Sequence, residues 1–190
     1  RYQFFLVTLG RSLSMVSIFR TVSWEVQQLV NDVHSGKIQL PDLQRPFVWP
    51  ASKVRDLFDS MYRGYPVGEL MFWDVAADGE SRSISGDANF IGQHQIIDGQ
   101  QRLTSLYAAV KGFPVRDVNY NKKQIRIAFN PFSEKFEVRT PPIAKSPEWI
   151  EDISTYFASP FKATKAFFKR YEESGGTLSD EEEEAIHDVF

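Results

Sequence analysis

With 190 residues, 42% of them hydrophobic and 14% aromatic, the chain can fill one full core and falls outside the disordered classes. It has no cysteine, which excludes disulfide frameworks and thiolate metal sites and makes a cytoplasmic home the simple expectation. Its net charge of −3 hides a division, because residues 171–190 hold eight acids and no Lys or Arg, leaving 22 basic against 17 acidic residues in 1–170.

A mildly basic body suits a phosphate-bearing ligand better than it suits a dense grip on duplex nucleic acid. His34, His94 and His187 lie far apart in sequence with no ligand spacing, so a zinc site is not expected. No apolar run approaches the ~20 residues of a membrane span.

Residues 1–14 precede Met15 and read as an upstream-translated or non-native extension, since their apolar run is short and no clean cleavage site follows. Ser23 is the expected N-cap of a helix that places Val26, Leu29, Val30 and Val33 on one face and stops at Gly36. From Ile38 to Pro50 the three prolines and two aromatics predict an extended, rigid segment. Gln44 and Arg45 are embedded there in apolar sequence, and an arginine so placed needs an anion or a carboxylate such as Asp56 or Asp98.

Ser52 opens a second amphipathic helix, with Val54, Leu57, Phe58, Met61 and Tyr62 on its buried face and an end at Gly64. Glu69 to Val75 reads as a strand, and residues 76–92, rich in Asp, Gly, Ser and Asn, as a mobile loop able to act as a lid.

The stretch Gln95 to Leu106, Q-I-I-D-G-Q-Q-R-L-T-S-L, predicts a strand, a tight turn at Asp98-Gly99, and a helix carrying Leu103, Leu106, Tyr107 and Val110 before a stop at Gly112. Gly99 lacks the Cβ that would hold a ligand off the backbone. The amides that follow open a helix, and Arg102 adds a forked cation, so the turn is a natural anion seat. Equally, an Asp-Gly turn can simply cap a helix while Arg102 pairs with a carboxylate.

Further on, Gln124 to Phe129 alternates with Ile125, Ile127 and Phe129 on one face, turns at Asn130-Pro131-Phe132-Ser133, and returns at Phe136 to Val138 as a hairpin. Ser146-Pro147 and Ser159-Pro160 are two cap-plus-proline helix starts. Their aromatics, Trp149 and Phe157, then Phe161, Phe167, Phe168 and Tyr171, read as core. A last helix begins near Ser179, with the acidic run at its N-terminus, and the chain reads as the N-terminal part of a longer protein.

Two pieces, L-P-D-L-Q-R-P-F-V-W at 40–49 and I-I-D-G-Q-Q-R-L-T-S-L at 96–106, with R-G-Y-P-V-G at 63–68 between them, resemble the DUF262 family, found in the N-terminal part of GmrSD-type restriction enzymes and in SspE proteins. The resemblance implies an α+β fold of the ParB/sulfiredoxin-like kind over residues 15–140, with a helical extension over 141–190. It implies NTP binding and Mg²⁺-dependent NTP hydrolysis in a modification-dependent, anti-phage restriction system. The nucleotide site it implies comprises Gln44, Arg45, Asp98, Gly99, Gln101, Arg102 and Thr104, with Asp98, Gln100, Gln101 and Arg102 as the catalytic set.

For phosphoryl transfer, Arg45, Arg102 and the helix-start amides would neutralise charge, and Gln100 or Gln101 would orient water. Asp98 would either hold Mg²⁺ against the phosphates or fix an arginine. The partners implied are a nucleotide, DNA for the longer protein, a second copy of the chain, and a C-terminal HNH nuclease domain whose spacing is absent here. The alternatives are a non-catalytic DNA-sensing module and a structural domain whose D-G-Q-Q-R turn merely holds the fold.

Overall fold

The computed structural model describes residues 3–9, 19–39, 46–74 and 94–188. The fold is α+β, built on a five-stranded mixed sheet with helices packed against it. In chain order come β1 (Gln3–Leu9), β2 (Phe19–Glu25), α1 (Val26–His34), β3 (Ile38–Gln39), α2 (Ala51–Tyr62), β4 (Leu70–Asp74), β5 (His94–Asp98) and α3 (Gln100–Lys111). The sheet order is β2-β1-β4-β5-β3, antiparallel between β2 and β1 and between β4 and β5, and parallel elsewhere. Residues 1–14, read from the sequence as an extension, therefore contain a strand lying between β2 and β4.

That pairing explains a correction. Ser23 does not cap a helix; it sits opposite Phe5 in the β1–β2 ladder, and α1 starts after Glu25 with no side-chain cap. The expected helical face is otherwise kept, with Val26, Leu29 and Val30 buried and Val33 packed against them. Likewise α2 begins one residue before Ser52, at Ala51 after Pro50, and buries Val54, Leu57, Phe58 and Met61.

β6 (Val115–Arg116) and β7 (Lys122–Lys123) form a small hairpin, and β8 (Ile127–Asn130) and β9 (Lys135–Val138) another. All four residues of β8 are buried, so the expected alternation gives way to a strand covered on both faces. Asn130 is kept inside because its Oδ1 accepts from the Phe132 and Ser133 amides of the turn.

The C-terminal helices are α4 (Pro141–Lys145), α5 (Ile153–Ala158), α6 (Pro160–Glu173) and α7 (Asp180–Asp188). Ser146-Pro147 does not start a helix: Ser146 ends α4, and α5 is capped by Asp152, whose carboxylate accepts from the Ser154 amide. The intervening chain instead runs Ile150 along Phe129, with mutual backbone bonds of 2.9 and 2.8 Å. Ser159-Pro160 does start α6, and Ser179 with Glu182 forms a reciprocal capping box at α7. Phe167 is buried as expected, but Phe161, in the first turn of α6, is 71% exposed. Ile153, Phe167 and Ile186 join the same hydrophobic core as Leu29, Phe72 and Leu106.

Candidate functional site

Everything proposed at the turn after β5 depends on how that strand ends. Met71 pairs with Asp98 and Phe72 with Ile96, so the ladder carries a bulge with Ile97 as its extra residue. Ile96 points into the core at 3% exposure, whereas Ile97 is turned outward and half exposed. Asp98 follows with its side chain 77% exposed, and Gly99 takes φ +87 as the residue before α3.

Gly99 is required twice over. An added Cβ would suffer the left-handed backbone and would meet Leu70 Cδ2 at 2.4 Å and Arg102 Nη2 at 3.1 Å. No side chain caps α3, and the first intrahelical bond runs from the Leu103 amide to the Gly99 carbonyl. The positive end of the α3 dipole thus faces a cleft of about 400 Å³ lined by Trp49, Ile97, Asp98, Gly99, Gln100, Gln101 and Arg102.

α3 itself is packed on nearly every side, with Leu103, Ser105, Leu106, Ala108, Ala109 and Val110 buried. Its small residues let α1, α2 and α5 approach, and Ser105 returns its hydroxyl to the Gln101 carbonyl at 2.7 Å. A helix held so firmly gives its first turn a fixed orientation.

Arg102 turns away from open solvent. Nη1 donates to the Val67 carbonyl at 3.1 Å and Nη2 to the Glu69 carbonyl at 2.5 Å, while Asp98 Oδ2 lies 3.8 Å from Nη2. The guanidinium is therefore a clasp between α3 and the R-G-Y-P-V-G loop. Gly68 makes room for it, since a Cβ there would come within 2.3 Å of Nη1.

Gln101 makes a second clasp. Its Oε1 accepts from the Val48 amide at 3.0 Å and its Nε2 donates to the Pro46 carbonyl at 3.2 Å, so one side-chain amide holds the main chain beside Trp49. Trp49 carries Lys53 Nζ 4.4 Å from its ring centroid, a cation–π contact. Replacing Gln101 with leucine is expected to free the 46–49 segment. Stability should fall by about 1–2 kcal/mol and the Val48 amide should exchange with solvent faster, with unchanged exchange arguing that the clasp is idle.

The three motifs singled out in the sequence thus meet physically at one place, the mouth of α3. Asp98, Gly99, Gln100, Gln101 and Arg102 all line the cleft, whereas Thr104, a turn further on, does not. Gln44 and Arg45 lie outside the described residues, as does the lid expected over 76–92. Sequence reasoning missed Trp49 and Ile97 as cleft walls. Trp49 stood four residues past Arg45 in the quoted motif, but the bulge that exposes Ile97 leaves no trace in a β-branched pair. Among the described residues no group of three or more His, Cys, Asp or Glu could hold a metal ion, so Asp98 offers a single carboxylate.

The sequence model of the family described as "GmrSD restriction endonuclease, N-terminal domain" matches residues 26–189. An uncharacterized protein of Methanocaldococcus jannaschii is 27% identical over 104 residues, which is 47% of this chain and 17% of that protein. The chain thus corresponds to a small part of the length of that curated relative. No solved structure gives a significant match. No helix among the described residues is long and apolar enough to cross a membrane.

Proposed function

We propose that this chain, which belongs to the family of GmrSD restriction endonuclease N-terminal domains, binds a nucleoside triphosphate in the cleft at the mouth of α3 and hydrolyses it with Mg²⁺. In this reading it is the cytoplasmic regulatory domain of a modification-dependent, anti-phage restriction protein whose DNA contacts and HNH nuclease involve the longer chain. The observation that carries the reading is the uncapped first turn of α3, opening beside Gly99 into a cleft of ligand size.

The amides of Gln100, Gln101 and Arg102 supply donors for phosphate oxygens, and Trp49 with Ile97 supplies an apolar wall for the base. Gln100, at the first helical position, would orient an attacking water through its side-chain amide. Gln101 and Arg102 are positioning residues here, because their side chains hold the backbone around the cleft. Arg102 still contributes positive potential beneath the amides. Gln44 and Arg45 belong to the proposed set by sequence, immediately before the segment that Gln101 clasps.

A lone Asp98 fits Mg²⁺ as an ion shared with nucleotide phosphates, since this metal is commonly held by one or two carboxylates, phosphates and water. The bound metal would neutralise charge on the bridging and terminal phosphate oxygens. Titration of the protein with ATP and with GTP, each with and without Mg²⁺, is the test. Saturable binding is expected, and Asp98→Asn should weaken the Mg²⁺-dependent part about tenfold. The melting temperature should barely move, because an exposed ion pair at 3.8 Å contributes little. The absence of saturable binding for every NTP would remove the proposal.

A second reading is favoured by the two clasps: D-G-Q-Q-R as a structural joint in a non-catalytic module. It predicts that Arg102→Ala lowers stability while leaving ligand binding, of whatever kind, unchanged.

A further inference from the structure

The β6–β7 hairpin carries charge that the fold does not use. Arg116 and Lys122 are directly opposite each other in its antiparallel ladder, and both are exposed. Neither side chain makes an ion pair or a hydrogen bond among the described residues, although like charges in that register repel. Asp117, the acid of the turn, is occupied: its Oδ1 accepts from the Asn119 amide at 2.8 Å and the Asn121 amide at 2.9 Å. At the tip Tyr120 is held at φ 61 with 78% of its surface exposed, beside Val118 at 55%. The left-handed backbone at Tyr120 serves the turn, its amide donating to the Asp117 carbonyl at 2.9 Å, while the ring itself stays in solvent.

The base of the hairpin is tied to the cleft. The Arg116 carbonyl accepts from the Phe47 amide at 3.1 Å, and Lys123 Nζ donates to the Trp49 carbonyl at 3.4 Å. Trp49 lines the cleft, and Gln101 holds its neighbours Pro46 and Val48 to α3. A displacement of the hairpin is therefore carried to the α3 mouth through three residues of main chain.

We propose that the β6–β7 hairpin is a docking element for the phosphate backbone of duplex DNA, with Arg116 and Lys122 sharing a phosphate and Tyr120 lying against the groove edge. An anion between the two cations removes their mutual repulsion, and a polyanion of regular spacing offers that anion wherever the hairpin lands. The inference rests on the DNA-acting part of the proposed function and is independent of nucleotide hydrolysis.

The test is fluorescence anisotropy of a short labelled duplex across a salt series, with the intact chain and its Arg116→Ala/Lys122→Ala variant. The expected results are measurable wild-type affinity that falls with salt, about a tenfold loss in the variant at low salt, and a log–log salt slope smaller by about 1, for the one phosphate the two cations share. Tyr120→Gly, which suits the left-handed position, should weaken binding about fivefold with the slope unchanged. A wild-type protein without salt-dependent duplex affinity, or a double variant with the wild-type slope, would overturn the proposal. So would polyglutamate binding more tightly than DNA, which would assign the hairpin to an acidic protein. ATP titrations run alongside should be unaltered by the double variant. Loss of ATP binding in both proteins, with the hairpin effect intact, would sink only the nucleotide reading.

Discussion

Replacing Arg102 with alanine is expected to destabilise the protein by about 2–4 kcal/mol, lowering the melting temperature by roughly 5–15 °C for a chain of this size. The side chain is only 22% exposed and donates charge-assisted bonds to the Val67 and Glu69 carbonyls. A term of opposite sign keeps the loss from being larger: Nε is buried without a partner among the described residues, and its removal relieves that cost. Lysine should recover less than half of the deficit, because one ammonium cannot span two carbonyls as a planar fork does. Thermal melts of the three proteins give the comparison. An alanine variant that melts with the wild type would mean that the clasp contributes nothing. NTP titration well below the lowest melting point then separates the two functional readings. A stability loss with intact binding favours the structural joint, and a loss of both the nucleotide site.

The strand, turn and helix from His94 to Lys111 were legible because each part carries a local signal: a β-branched pair, Asp-Gly, then apolar residues at helical spacing before Gly112. The β8–β9 hairpin and the α6 and α7 starts were legible for the same reason, since Asn-Pro, Ser-Pro and the Ser179–Glu182 box act within a few residues. What was hidden is what depends on distant chain. Ser23 has the chemistry of a cap, but pairing with β1 draws it into a strand. Ser146-Pro147 has the form of a helix start, but the chain turns at 147–149 to bring Ile150 into a bridge with Phe129.

The same limit applied to the site. An arginine in the first turn of a helix reads as a cation aimed at a ligand, and only the loop at 63–69 decides that its fork closes on carbonyls. The motif's coherence is nonetheless physical, since Gln101 reaches the 40–49 piece through Pro46 and Val48, and Arg102 reaches the 63–68 piece through Val67.

Gly68→Ala tests that closure from the other side, and its effect should be large for one residue on an exposed loop. The backbone there has φ +83, which costs alanine about 1–2 kcal/mol in the left-handed region. In addition the new Cβ would lie 2.3 Å from Arg102 Nη1 and 3.2 Å from Cζ. A long side chain can normally step aside from such a clash. Here the step breaks the bonds to Val67 and Glu69, so the substitution should cost about as much as Arg102→Ala with the backbone term added. The two variants then share one loss. In the double variant only the backbone term remains beyond Arg102→Ala, giving a coupling as large as the Arg102→Ala loss itself, about 2–4 kcal/mol. Gly64→Ala supplies the reference, because its φ is +70 and a Cβ there meets nothing within 4 Å. It should cost the backbone term alone and add independently to Arg102→Ala. Denaturant melts of the five variants resolve these differences. Strict additivity of Gly68→Ala with Arg102→Ala would show that the guanidinium does not depend on that opening, and that the loop and the mouth of α3 are held together by something else.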